Sequence, residues 1–236
     1  MSRSRQLALD LPARPARGRG DFFVSASNRL AVAQIDGWRD WPGGRCALVG
    51  PEGAGKSHLA AVWAAETGAR VIAAADLPEA DPAGLAAGGA VAVEDADRAL
   101  AAPAGPAVET ALFHLHERLA AAGGALLLTG RAAPGRWPAA LADLRSRLAA
   151  VPVARIEPPD DLLLEALAIK LFADRGVAVE RGLPRWLALR APRSHAGLAE
   201  AVARLDRLGL ARGVRLTRNF ASKALDADME ASPPPR

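Results

Sequence analysis

The octapeptide GPEGAGKS at residues 50–57 constrains this chain more than any other stretch. It matches G-x-x-x-x-G-K-S, follows a short apolar run (RCALVG, 45–50) and opens a run with helical spacing (KSHLAAVWAAETG, 56–68). That strand–loop–helix context is the one in which the pattern forms a phosphate-binding loop. Gly50, Gly53 and Gly55, with Ala54 between the last two, let the backbone curl so that its N–H groups face an anion. Lys56 reaches the β- and γ-phosphates as a point charge, and Ser57 offers a hydroxyl to Mg²⁺. The residues therefore predict a site for ADP or ATP with Mg²⁺. A glycine-rich turn with an incidental lysine is the plain alternative. Only Lys56, Lys170 and Lys223 are lysines, so a chance match is rare in this composition.

The rest of the chain alternates in the same manner. Strands are predicted at 45–50, 69–75, 90–95, 125–130 and 151–158. Helices are predicted at 56–68 and at 107–124, the latter with Ala111, Leu112, Leu115 and Leu119 inward and a glycine stop. Strands alternating with helices imply an α/β fold, a parallel sheet covered on both faces. After Pro159 the strands stop, and 160–176, 183–191 and 194–213 read as helices, with Asp160 and Ser194 as N-caps. The expected domains are an α/β nucleotide-binding body over 21–158 and a small all-α domain over 159–228. Residues 1–20 and 229–236 are expected to be disordered tails, with 12–20 a Pro/Gly/Arg linker.

Charge narrows the function. The net charge is +4, but residues 1–20 hold five arginines and one acid, leaving 25 basic and 25 acidic residues in the remainder. A dedicated DNA-binding domain normally shows a basic face, and this body is neutral. The single cysteine, Cys46, excludes an intrachain disulfide. No apolar run reaches the ~18 residues a membrane span needs, and no signal-peptide core is present. A cytoplasmic protein is expected. His114 and His116 are two apart on a helix and point to different faces, which argues against a zinc site. Trp63 and Trp186 are expected in the core or at a domain interface, and Trp38 and Trp41 in packing.

A P-loop needs a second, acidic element, expected at the tip of a strand beside the loop. AVAVEDAD (90–97) offers Glu94 and Asp95, one carboxylate to hold Mg²⁺ through water and the other to orient the attacking water.

With these motifs in place the chain resembles the AAA+ ATPases of the replication-initiator group, the DnaA-related family, over residues 22–226. FFVSASNRLA (22–31) resembles the segment that contacts adenine, with Asn28 at its centre. GPEGAGKSH keeps the His58 that follows the loop in that family. LLLTGRAAPGRW (126–137) resembles the sensor 1 strand, which makes Thr129 a site residue. LADLRSRLAAV (141–151) resembles the box that carries the arginine finger, with Arg147 at the finger position and Arg145 as runner-up. The resemblance implies a three-layer αβα AAA+ domain followed by a helical lid.

Three positions depart from the family pattern. Glu94 stands where an Asp is usual, so the metal-side ligands are Ser57 and Glu94. Arg131 replaces an acid that often follows the sensor 1 pair. The lid run RSHAGLAEAVARLD (193–206) places Ala196 at the sensor 2 arginine position, with Arg193 nearly one turn away. The loss implies weak intrinsic ATPase at most.

Only about 25 residues follow 203–210, too few for the helix-turn-helix domain of an initiator. The layout resembles the short Hda-type regulators within the family, which begin with a clamp-binding peptide of the form Q-L-x-L-x-L. Gln6, Leu7, Leu9 and Leu11 fit that form, and an extended peptide of this kind fits an apolar groove. A strand that pairs with the body is the plain reading of the same residues. The resemblance thus implies two partners, the DNA polymerase III sliding clamp and DnaA, with self-association left open. It implies that Arg147 acts in trans on ATP bound to DnaA, preventing re-initiation. The competing reading is an autonomous AAA+ ATPase, a helicase loader, DnaA-like initiator or transposition helper.

Overall fold

Short strands buried on both faces are central strands of a covered sheet; the runs at 45–49, 90–94 and 125–130 are used that way, while 70–73 and 153–155 form its edges. The computed structural model describes residues 23–229. The peptide Gln6, Leu7, Leu9 and Leu11 lies outside the described residues.

Strands β1 (Arg45–Val49), β2 (Arg70–Ala73), β3 (Ala90–Glu94), β4 (Ala125–Gly130) and β5 (Val153–Arg155) form one parallel sheet in the order β2-β3-β4-β1-β5. Alternate residues feed two cores. Ala47, Val49, Val91, Val93, Leu126 and Leu128 face helices α3 (Pro82–Ala86), α4 (Ala96–Ala101), α5 (Gly105–Ala121) and α6 (Ala142–Ala149). Cys46, Leu48, Ala92, Leu127 and Ala154 face α1 (Arg29–Asp36) and α2 (Lys56–Thr67). Leu112, Leu115 and Leu119 of α5 are buried as its periodicity predicts, while Ala111 is only partly covered.

One expectation is corrected. The acidic strand β3 does not lie beside β1; β4 sits between them. Register explains how the site still closes. Leu48 pairs with Thr129 and Val93 with Leu128, so the ends of β1, β4 and β3 stand level at one edge of the sheet.

The helical domain packs α7 (Asp161–Asp174), α8 (Leu183–Ala188), α9 (His195–Arg212) and α10 (Arg218–Met229) around Leu164, Phe172, Leu187, Leu198, Val202 and Leu205. Both predicted N-caps form. Asp160 accepts from the Leu163 N–H at 2.8 Å, and Ser194 accepts from the Gly197 N–H at 3.0 Å. Asp160 also accepts from the Ser27 N–H at 3.3 Å, and Glu157 donates its N–H to the Ser27 carbonyl at 3.0 Å. These bonds fasten the entry segment to the junction between body and lid. Burial raises the Asp160 carboxyl, but the bonds from Leu163, Ser25 and Ser27 outweigh it and hold it below its ordinary value. No helix among the described residues is long and apolar enough to cross a membrane.

Candidate nucleotide site

Gly53 and Gly55 take φ of 75° and 99°, a left-handed turn that glycine adopts at no steric cost. The turn delivers the chain into α2, whose first N–H groups have no carbonyl one turn back and face outward from the helix end. Lys56 and Ser57 are the first two residues of that helix, and His58 lies half-buried beside them. The Lys56 ammonium folds back over the loop, donating to the Gly50 carbonyl at 2.8 Å and the Pro51 carbonyl at 2.9 Å. Burial lowers its pKa; Asp95 and Asp97 oppose that, Arg131 adds to it, and Glu52 opposes it. An anion in the loop offers the ammonium a charged partner in place of two neutral carbonyls. The loop and helix terminus thus form an anion cradle.

Behind α2, Trp63 is fully buried, stacked on Trp41 at 5.5 Å and edge-on to Trp38 at 6.4 Å. This aromatic wedge fixes the helix that carries Lys56. Cys46 is buried in β1, where burial raises its thiol to about 12, so it is chemically inert.

At the acidic edge, Asp95 follows β3 with φ of 53°, the one non-glycine residue at positive φ among the described residues. Such strain persists only where the surroundings enforce it. Here the Asp95 N–H donates to the hydroxyl of Thr129, a buried residue of β4, at 3.0 Å. Glu94 keeps Oε1 buried without a partner among the described residues. A buried acceptor without a donor is costly, and a metal-bound water supplies one. Glu94 at the end of β3 and Ser57 in the first turn of α2 offer oxygen ligands of the kind Mg²⁺ takes. The Asp95 carboxylate faces Arg98 at 3.6 Å.

The start of α9 meets the loop. A Cβ on Gly53 would lie 2.3 Å from that of Ser194, and His195 donates its N–H to the Gly53 carbonyl at 3.4 Å. Ala196 brings no charge to this contact. Arg193 is committed elsewhere, to Asp161 at 2.6 Å and the Pro159 carbonyl at 2.8 Å. Neither position gives the site a lid arginine.

Asn28 is buried, and both ends of its amide are used in its own turn: Oδ1 accepts from the Ser25 N–H and Nδ2 donates to the Phe23 carbonyl, each at 2.9 Å. In this structure it shapes the entry segment.

Arg147 stands apart from these groups. It lies on α6, half-exposed, paired with Glu117 at 2.6 Å and Asp143 at 3.1 Å and set over the Phe113 ring at 5.6 Å. Arg145 is exposed and reaches only the Ala139 carbonyl, at 3.4 Å. Inward of Arg147, His116 is buried. Burial, then Arg45 and Arg147, lower its imidazole to about 4, with Asp143 opposing. The unfolded chain takes up that proton near 6.5. Stability is therefore complete above about 6.5 and is lost as pH falls through about 4. A His116→Gln variant is expected to show a flatter melting temperature across that window, and an unchanged slope would show that His116 does not carry the effect.

Sequence reasoning missed one support, Trp137, and one contact, that of Arg131. Trp137 packs on the end of β4: a Cβ on Gly130 would sit 2.7 Å from its ring. Arg131 reaches across to Glu52 in the phosphate loop at 2.5 Å. An isolated tryptophan carries no spacing signal, and Arg131 is marked in the sequence only as a departure from the family pattern, not as a partner of the phosphate loop.

No sequence-family model matches the chain, and no curated protein matches it in sequence. In structure it is similar to domain III of the replication initiation protein DnaA from Thermotoga maritima, with TM-score 0.73 and 20% identity over 92% of this chain and 98% of that one. It is similar to a replication initiator DnaA bound to AMPPCP and single-stranded DNA, with TM-score 0.63 and 18% identity over 85% and 69%. A RuvB variant from Thermotoga maritima gives TM-score 0.67 and 16% identity over 90% and 72%. These likenesses establish the fold as the AAA+ P-loop α/β type, with its parallel sheet and flanking helices.

Proposed function

We propose that this chain is a DnaA-related AAA+ protein of replication initiation and acts as a regulator. In this reading Gln6, Leu7, Leu9 and Leu11 tether it to the DNA polymerase III sliding clamp. Its own loop holds ADP or ATP with Mg²⁺, and Arg147 enters the nucleotide site of a neighbouring DnaA to promote hydrolysis there.

The observation that carries the reading is how the arginines are divided. The chain's own site has Ala196 at the lid position, and Arg193 is spent on Asp161. Among the described residues Arg147 pairs with Glu117, Asp143 and Phe113, none of which belongs to the phosphate loop or the acidic edge. Such a division favours a protein that binds nucleotide firmly, turns it over slowly and lends its finger to another subunit.

Within the chain's own site, Gly53, Ala54, Gly55 and the first turn of α2 bind phosphate oxygens, and Lys56 neutralises them. Ser57 and Glu94 would hold Mg²⁺, which would supply positive charge to the bound phosphates. Asp95, locked by Thr129, orients water. In trans, the Arg147 guanidinium neutralises charge spreading over a γ-phosphoryl group. Asn28 and His58 border the base and phosphate sides.

A Gln6→Ala/Leu9→Ala variant is expected to lose co-elution with the clamp while binding nucleotide as the wild type does. A variant that still co-elutes would remove the tether. Vigorous ATP turnover by the chain alone, stimulated by single-stranded DNA, would favour an autonomous loader.

A further inference from the structure

A triphosphate site that has lost its lid arginine has a charge deficit, and the structure contains a cation placed to fill it. Arg131 is the first residue past β4, the strand that lies between the loop strand β1 and the acidic strand β3. Its backbone has little freedom. The Arg131 N–H donates to Asp97 at 2.7 Å, and Gly130 is wedged between the Trp137 ring and Asp97. From there the guanidinium crosses the mouth of the site to Glu52, the third residue of GPEGAGKS. Arg131 is also the one cation among the groups whose fields act on Lys56.

We propose that Arg131 is a second phosphate-binding cation of this site and the residue that distinguishes a nucleoside triphosphate from a diphosphate. The proposal rests on the nucleotide reading above and adds a specificity-determining residue to it. With a diphosphate bound, Arg131 stays on Glu52. A terminal phosphate, doubly charged and matched to the guanidinium fork, displaces the Glu52 carboxylate. The exchange costs little, because the side chains of Arg131 and Glu52 are 48% and 77% exposed and such surface pairs are weak. Glu52 is then a competing anion that sets how readily the site takes a triphosphate.

The test is titration of the full chain with ADP and with the non-hydrolysable triphosphate AMPPCP. Arg131→Ala is expected to weaken AMPPCP by about tenfold, the value of one charged hydrogen-bonding contact, and ADP by less than about twofold. Arg131→Lys recovers part of the loss, because a point charge replaces the fork. Glu52→Gln strengthens AMPPCP several-fold and leaves ADP unchanged. Equal weakening of both nucleotides by Arg131→Ala, or no change in either, overturns the proposal while leaving the nucleotide site intact. A wild-type chain that binds neither nucleotide overturns the nucleotide reading and this proposal with it.

Discussion

Replacing Arg147 with alanine is expected to abolish stimulation of DnaA-bound ATP hydrolysis while leaving the chain folded and bound to the clamp. An arginine supplied in trans to a phosphoryl-transfer site is worth ~10³–10⁵ in rate, so the effect is not a partial one. The structural cost is small by comparison. Arg147 is half-exposed, its two carboxylate partners are more exposed still, and exposed pairs add little to stability. Leu144 and Leu148, which seat α6 in the core, are untouched. Arg145→Ala, made in parallel, should retain stimulation to within a few-fold, since that side chain reaches only one carbonyl at 3.4 Å. The readout is phosphate released from DnaA–ATP in single turnover. Full stimulation by the Arg147→Ala chain would end the finger assignment.

Lys56→Ala is expected to reduce affinity for ADP and ATP alike by about a hundredfold or more, through loss of charge-assisted bonds to the phosphates. The nucleotide-free fold should tolerate it. Among the described residues the ammonium bonds only the Gly50 and Pro51 carbonyls, so its removal breaks two bonds and leaves the apolar core untouched. A melting temperature near that of the wild type, together with lost nucleotide protection, is the expected pair of results. Retained protection would mean that the loop is not the nucleotide site. The contrast with Arg131→Ala is diagnostic: Lys56 serves both nucleotides, and Arg131 serves the triphosphate.

The loop and its helix were legible because the residues that form them are adjacent in sequence. Gly55 ends the turn, Lys56 opens α2 and Gly68 closes it, all within one short run. The caps Asp160 and Ser194 were legible for the same reason, each bonding an N–H three residues on. Strand order was not. Nothing in AVAVED says that ALLLTG will come between it and RCALVG, because pairing in a parallel sheet is set by crossovers far apart in sequence. The fate of Arg193 was equally hidden. It stands three residues before Ala196 in sequence, but it precedes the N-cap Ser194, and Asp161, 32 residues away, claims it. Short helices such as α3 and α4 went unread because five or six residues carry too little periodicity. The last helix, α10, was missed too, its apolar positions diluted by Arg218, Asn219, Ser222 and Lys223.

The central claim is that this chain acts on a neighbour's nucleotide through a tether at its N-terminus. The direct measurement loads DnaA with γ-labelled ATP and this chain with unlabelled ADP, brings them together on DNA-loaded clamp, and follows release of label. The account predicts rapid release with the wild-type chain and release at the basal rate with Gln6→Ala/Leu9→Ala. Label retained on DnaA at the basal rate in the presence of the wild-type chain would contradict it.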